Sequence, residues 1–368
     1  MKKVLHVLHE LKYSGAEIMY AGAASVFQER GYELYVVNSA ARLGEYAIHF
    51  EKAGYKVLHW PYPKGILERW KYYANVIKFI KSEHIDVIHI HDSGLKWGMS
   101  YCAWRAGIKV VYTCHNCFPI RWFSRPYQIY LRYTAKHIFG CKIQSISNSV
   151  YNNELHRFYN RTTLINNWYN NRRFFPATEE EKQMVRKGLG ILNQTLVLIS
   201  VGGCSLIKQH TEIIKALSEV IKAQPDVLYL HLGEGSLLDE EVKLAQSLGV
   251  SDHIRFLGNK DDVRRFLIAA DIYLMTSQFE GISITTIEAM ACRIPAILYD
   301  VPGLRDFNSQ QECAMLIEAD HHILAKSILS LYSNKSYAER LKNDAYKRVN
   351  TIYNMDVNVG KIVELYKK

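Results

Sequence analysis

The sequence predicts an α/β protein made of two doubly wound parallel-sheet domains. Three observations carry this. The chain has 368 residues, more than one hydrophobic core ordinarily serves. Short apolar runs alternate with amphipathic stretches of helical spacing, the pattern of βαβ units. That alternation breaks once, after about Asn167, and then resumes.

The runs KVLHVLH, ELYVVN, KVLHW, DVIHIH, KVVYTCH, IQSIS and TLIN are short and aliphatic, so each reads as a strand. AEIMYAGAASVFQERG and ERWKYYANVIKFIKSEH between them carry apolar residues at helical spacing. YNNRRFFPATEEEKQMVRKGLGILNQ holds Pro176 and a charge run, and reads as the inter-domain connection with one short helix. The second series is TLVLISVG, VLYLHLG, IRFLG, ADIYLMTS, PAILYD and CAMLIE. From about Asn334 the tail has no strand candidate and ends as helix. The expected domains are residues 1–170 and 171–351, with a last helix over about 352–368 packing back on the first.

Hydrophobic residues make up 48% and charged residues 22%, an ordinary globular balance. No apolar stretch approaches the roughly 18 residues of a membrane span. At the N-terminus His6 and His9 interrupt the apolar run and Glu10 ends it, which fits a strand better than a signal peptide. Seven scattered cysteines suit a reducing compartment. The expected location is the cytoplasm. Cys114 and Cys117 frame His115 in a lone CxxC, without the second pair that a structural zinc site needs.

A net charge of +10 admits nucleic acid, anionic lipid or phosphorylated partners. No nucleic-acid-binding motif is present, and no nucleic-acid partner is expected. Residues 64–81 and 119–142 mix basic and aromatic side chains, among them Arg121, Trp122 and Arg125. Such helices suit a membrane interface, where cations meet lipid phosphates and rings sit among headgroups. The plainer reading is an aromatic core face behind a solvated basic face. Two such segments in one half favour peripheral contact with an anionic membrane.

In open α/β sheets, ligands bind beyond the carboxyl ends of the strands. Gly15 follows the first strand and opens a helix, where a phosphate can approach the backbone, although glycine is also common there for geometry alone. No G-x-G-x-x-G is present, so the dinucleotide fingerprint is missing. Lys208 follows the first strand of the second half and can meet a phosphate as a point charge, or simply face solvent. FEGISITTIEAMACRIPAI, residues 279–297, places Glu280 before a turn at Gly281 and Glu288 one helical turn beyond. Amides from Gly281 to Thr285, with the helix dipole, make an anion site. Each carboxylate offers only acceptors and can hold hydroxyls of a ring. The competing reading of Thr285-x-x-Glu288 is a capping box. His115 ends the fifth strand, as a ligand contact or as a hydrogen-bonded structural histidine.

Taken together, these residues resemble the retaining glycosyltransferases of family four, which have the GT-B fold: two Rossmann-like domains facing a central cleft. FEGISITTIEAMAC matches the family's E-x(7)-E segment. IRFLG, ADIYLMTS, YDVPGLRDF, SISNSV and LINNWYNNRRF fit the surrounding pattern.

The resemblance implies a nucleoside diphosphate sugar as donor, with uridine the expected base, and a saccharide or lipid-linked saccharide acceptor in surface polysaccharide or glycolipid synthesis. It implies that Glu288 binds ribose and Glu280 the donor sugar. Gly281, Ile282, Ser283 and Ile284 would hold the diphosphate, and Lys208 would neutralise the leaving phosphate. Gly15 would close over the phosphates, His115 would lie beside the donor sugar, and Gly258 and Asn259 near the base. Lys208, Glu280 and His115 are thus the expected catalytic residues.

One departure stands out: where the family commonly has arginine, this chain has Gly203. No D-x-D follows a strand, so neither a metal nor another cofactor is expected. A nucleotide-sugar 2-epimerase of the same fold is the nearest rival, followed by a non-catalytic nucleotide-sugar-binding relative.

Overall fold

Strands covered on both faces need apolar side chains on both, and this is what the central runs supply. The structure is a computed structural model describing residues 1–117 and 122–367. It has two α/β units: residues 1–168 with 355–368, and residues 169–354.

The first unit holds β1 (Lys2–Leu8), β2 (Tyr32–Asn38), β3 (Lys56–His59), β4 (Val87–Ile90), β5 (Lys109–Cys114), β6 (Lys142–Ser145) and β7 (Thr163–Leu164). They form one parallel sheet in the order β3-β2-β1-β4-β5-β6-β7. The second unit holds β8 (Leu196–Val201), β9 (Val227–Leu232), β10 (Ile254–Phe256), β11 (Ile272–Met275), β12 (Ala296–Tyr299) and β13 (Met315–Ile317). Their order is β10-β9-β8-β11-β12-β13, again parallel. The expected architecture, two doubly wound parallel-sheet units, is therefore present.

Each order reverses once, between β1 and β4 and between β8 and β11. Val4 pairs with Leu34 on one side and Val87 on the other, and Leu198 with Tyr229 and Ile272. Helices leave on opposite faces at such a reversal and open a crevice between the two loops. Val4, Leu5, Val7 and the run Leu196–Ile199 have no exposed surface, which fixes these strands as the centre of each core.

The chain leaves the first unit after Trp168 and re-enters it at Met355. The last helix, Met355–Lys367, is fastened there by polar contacts. Tyr366 Oη lies 2.6 Å from His89 Nδ1, and Arg30 donates to the Asp356 carbonyl at 2.8 Å.

Of the two basic, aromatic segments, one is the helix Ile66–Ser82. The other is a 3₁₀ turn, Trp122–Ser124, running into the helix Arg125–His137; Arg121 lies outside the described residues. Trp122 is 84% exposed, and Tyr127, Tyr130 and Tyr133 repeat along one exposed face. Trp70 and Trp104 are half exposed and both meet Tyr101, and Trp104 also meets Phe139. The aromatics thus lie largely outside the core. Arg125 donates to the Arg157 carbonyl at 2.8 Å and to Tyr159 Oη at 3.2 Å.

A buried ion pair anchors the helix Arg125–His137. Arg132 meets Glu154 through two 2.8 Å bonds and lies over the Phe158 ring. Asn160 completes the carboxylate's shell at 2.7 Å. Glu154→Ala leaves a guanidinium buried without its partner and is expected to cost about 3 kcal/mol. Thermal melting checks this; a loss under about 0.5 kcal/mol would mean that the pair behaves as a surface contact.

Candidate functional site

The reversal between β8 and β11 brings two loops of the second unit together. One runs from Gly202 to Gln209 and ends where Gln209, at φ 51°, turns the chain into the helix His210–Ala223. The other runs from Thr276 to Ser283 and enters the helix Ile284–Ala291. Thr276 Oγ1 donates to the carbonyls of Lys208 at 2.9 Å and Gln209 at 3.1 Å, and Gln278 N to the Ile207 carbonyl at 2.8 Å. Thr285 Oγ1 reaches the Val201 carbonyl at 3.1 Å. Loop against loop, the backbone is fixed at several points.

These bonds set Lys208 against Glu280. Lys208 Nζ lies 2.5 Å from Glu280 Oε1, and Ser277 Oγ donates to the same oxygen at 2.8 Å. The amide of Glu280 is held by the Pro302 carbonyl at 3.0 Å. Gly303, at φ 84°, allows that approach: a Cβ there would sit 2.3 Å from the Glu280 carbonyl oxygen. Lys208 itself lies along Gly202, where a Cβ would stand 3.3 Å from the lysine Cε.

Ser283 caps the helix Ile284–Ala291 by accepting from Thr286 N at 3.2 Å. The capping box Thr285-x-x-Glu288 is therefore not formed. Thr285 is already inside the helix, and its hydroxyl is used by Val201 and Tyr273. The positive end of the helix dipole lies at Ser283–Ile284, next to Gly281 and Ile282.

Glu288 sits in the second turn with 6% of its surface exposed. Burial pushes its carboxyl up from 4.5 to about 8, against the weaker pull of Arg173. A neutral acid costs less here than a carboxylate, and a hydrogen-bonding ligand would reverse the balance.

Gly258 and Asn259 follow β10. Gly258 accepts from Gly233 N at 3.0 Å, and Asn259 approaches the Glu234 carboxylate through its backbone and side-chain nitrogens, both at 3.4 Å. Gly233, at φ 136°, has Gly202 O 2.0 Å from where its Cβ would stand, so the loops after β8, β9 and β10 touch one another. The structure thus brings together Lys208, Glu280 and the segment Gly281–Ile284 beyond the carboxyl ends of β8 and β11, with Glu288 one turn into the helix Ile284–Ala291 and Gly258 and Asn259 two strands away.

Gly15 and His115 belong to the first unit: Gly15 follows β1, at that sheet's own reversal, and His115 follows β5, one strand beyond β4. Gly15 is exposed at the start of the helix Gly15–Gly22. His115 is linked through His91 at 3.0 Å to His6 at 3.1 Å, across β5, β4 and β1. Burial pushes His115 down to about 4 and His6 to about 3, so these rings are neutral at pH 7. The same burial drives the Cys114 thiol well above its ordinary value, and Cys114 and Cys117 join no metal-ligating group among the described residues.

Sequence reasoning passed over Glu17, one turn after Ser14. It is buried, and burial lifts its carboxyl to about 7 against a hydrogen bond from Ser14. An acidic residue in a first helical turn is so common that nothing in the sequence sets it apart.

The pKa of Glu288 has a consequence for stability. The folded chain keeps a proton that the unfolded chain loses above about 4.5, so folding weakens as pH rises towards 8. Glu288→Gln is expected to melt above the wild type by a margin on the order of a few kcal/mol at pH 8, shrinking to near zero at about pH 4. A margin that does not change with pH would contradict a raised carboxyl.

Known proteins resemble the chain over nearly its whole length. The family model described as glycosyltransferase family 4 matches residues 13–173, and the one described as glycosyl transferases group 1 matches residues 181–348. The N-acetyl-alpha-D-glucosaminyl L-malate synthase of Bacillus anthracis is 23% identical over 343 residues, 87% of this chain and 86% of that protein. A UDP-Gal:alpha-D-GlcNAc-diphosphoundecaprenol alpha-1,3-galactosyltransferase of Escherichia coli is 24% identical over 314 residues, 82% and 80% of the two chains. The structure of Anabaena HepE in complex with UDP and glucose superposes with a TM-score of 0.85 at 18% identity, over all of both chains, which shows the fold. With its two doubly wound sheets and its E-x(7)-E loop under these matches, the chain belongs to glycosyltransferase family 4 and is a glycosyltransferase of the GT-B fold.

Proposed function

We propose that the enzyme is a retaining glycosyltransferase that moves a hexosyl or N-acetylhexosaminyl group from a UDP-sugar to a saccharide or lipid-linked saccharide, without a catalytic metal. The observation that carries this is the 2.5 Å pair of Lys208 and Glu280 beside the N-terminus of the helix Ile284–Ala291. A diphosphate at that helix end would take Lys208 as counter-ion and free Glu280 to accept from sugar hydroxyls. Glu288, once ionised, would hold the two ribose hydroxyls. The relatives support the donor: HepE was solved with UDP-glucose, and the E. coli relative is named for UDP-Gal and a diphosphoundecaprenol acceptor.

Chemically, the bond from the anomeric carbon to the β-phosphate oxygen breaks with oxocarbenium character. Lys208 and the helix terminus stabilise the charge that appears on the leaving diphosphate. The acceptor oxygen bonds to the anomeric carbon on the same face, and its proton passes to the departing phosphate oxygen. Glu280 is held by Lys208 and Ser277, which suits a positioning group better than a covalent nucleophile. A 2-epimerase would use the same donor and release an epimer without acceptor.

Metal-free binding of UDP, GDP, dTDP and NADH tests the donor site. UDP at 100 times its Kd is expected to add about 2.7 kcal/mol of stability. Glu288→Ala should weaken UDP binding by about 2 kcal/mol, roughly thirtyfold in Kd. Equal binding by wild type and variant would remove Glu288 from the site. An inverted anomeric configuration in the product, read by NMR, would refute retention.

The exposed face around Trp122, Tyr127, Tyr130 and Tyr133 supports contact with an anionic membrane. No helix among the described residues is long and apolar enough to cross one. Co-sedimentation with phosphatidylglycerol vesicles at low salt is expected, and Trp122→Ala with Tyr130→Ala should reduce it. Absence of pelleting at low salt would exclude the membrane reading.

A further inference from the structure

Four ligand-type side chains from four elements meet under the loop that carries Lys208. Cys204 lies in that loop, His210 opens the helix His210–Ala223, His231 is in β9, and Glu241 is in the helix Leu238–Ser247. None is more than 2% exposed. His231 Nε2 is 2.9 Å from His210 Nδ1, 3.7 Å from Cys204 Sγ and 3.2 Å from Glu241 Oε2. His210 Nδ1 is 3.3 Å from Glu241 Oε1, and Cys204 Sγ is also 3.8 Å from the Gly233 carbonyl. All four ligand atoms fall within 4.8 Å of one another.

Hydrogen bonds alone do not satisfy this group. One proton can lie between His210 Nδ1 and His231 Nε2. Whichever nitrogen accepts it has no proton left for the Glu241 oxygen that lies 3.2–3.3 Å away. If both nitrogens donate to the carboxylate instead, two N–H groups face each other across 2.9 Å. Glu241 Oε2, fully buried, has His231 Nε2 3.2 Å away but makes no well-aligned hydrogen bond among the described residues. A cation at the centre removes each conflict, because every one of the four groups then presents an electron pair to it. Bonds of about 2.0–2.3 Å to nitrogen, oxygen and sulfur place tetrahedral ligands roughly 3.3–3.6 Å apart. Four of the six separations here are 2.9–3.7 Å, and none exceeds 4.8 Å.

We propose that Cys204, His210, His231 and Glu241 bind one Zn²⁺ ion in a closed, structural site. Thiolate and imidazole ligands select against magnesium and calcium, and four protein ligands leave no open position for a substrate. Cys204 and His210 bracket Lys208, so the ion clamps both ends of the loop that presents that lysine. The inference does not depend on which donor or acceptor the enzyme uses.

The full-length enzyme, untagged and purified without chelator, is expected to hold about one zinc per chain by elemental analysis. Replacement by Co²⁺ should give the visible bands of tetrahedral cobalt and a thiolate-to-cobalt band in the near ultraviolet. Cys204→Ser should lose the thiolate band. The thiolate band also separates this site from Glu219, His321 and His322, a partly exposed group without a cysteine. If Cys204→Ser does not fold, the wild-type cobalt spectrum decides alone. Zinc-free enzyme that gives no thiolate band with Co²⁺ and no change in Tm with Zn²⁺ would overturn the proposal and leave a hydrogen-bonded cluster.

Discussion

The second unit of this enzyme depends on one constraint, the reversal of strand order between β8 and β11. Two central strands buried on both faces send their following loops to opposite sides of the sheet, and the loops can then meet only at the strand ends. The hydroxyls of Thr276 and Thr285 and the amide of Gln278 fasten loop to loop and loop to strand there. Lys208 and Glu280, 72 residues apart in sequence, are partners because of this. Core packing remote from both residues thereby sets their contact.

The same burial that fixes the backbone also sets the charge state of the groups beside it. Glu288 and Glu17 are carboxyls pushed towards neutrality, and His115, His91 and His6 form a neutral row. Both units thus hold polar groups whose charge is suppressed until something pairs with it. In the proposed role of Glu288, a diol held by the carboxylate would favour the ionised form and so tie its binding to proton release. Lys208 and Glu280 solve the problem differently, by pairing with each other. That pair costs desolvation which a diphosphate, with more charge and the helix dipole beside it, would offset.

Much of the fold was legible because a doubly covered strand must be apolar along its length. LVLIS and IYLM cannot be amphipathic helices at that length, and they became β8 and β11. FEGISITTIEAM was legible too, since its glycine and paired glutamates lie close in sequence. What stayed hidden is non-local. The histidine row needs β1, β4 and β5 side by side, and the Cys204, His210, His231 and Glu241 group needs four elements folded together. The capping box failed for a different reason: Ser283 competes for the same role one position before the helix, and Tyr273 and Val201 draw Thr285 away.

Gly203 shows how packing and charge trade against each other at this site. Family four commonly has arginine here, and a Cβ at Gly203 would stand 3.0 Å from the Glu234 carbonyl oxygen. Glu234 is not free to retreat: its carbonyl accepts from Cys204 N at 3.1 Å, and its carboxylate faces Asn259. Glycine lets the loops after β8 and β9 close on each other, at the loss of one cation. The remaining positive charge is then concentrated on Lys208 and the helix Ile284–Ala291, so the position of that one lysine matters more. An ion held by Cys204 and His210, as proposed, would fix the loop around it more firmly than backbone hydrogen bonds alone.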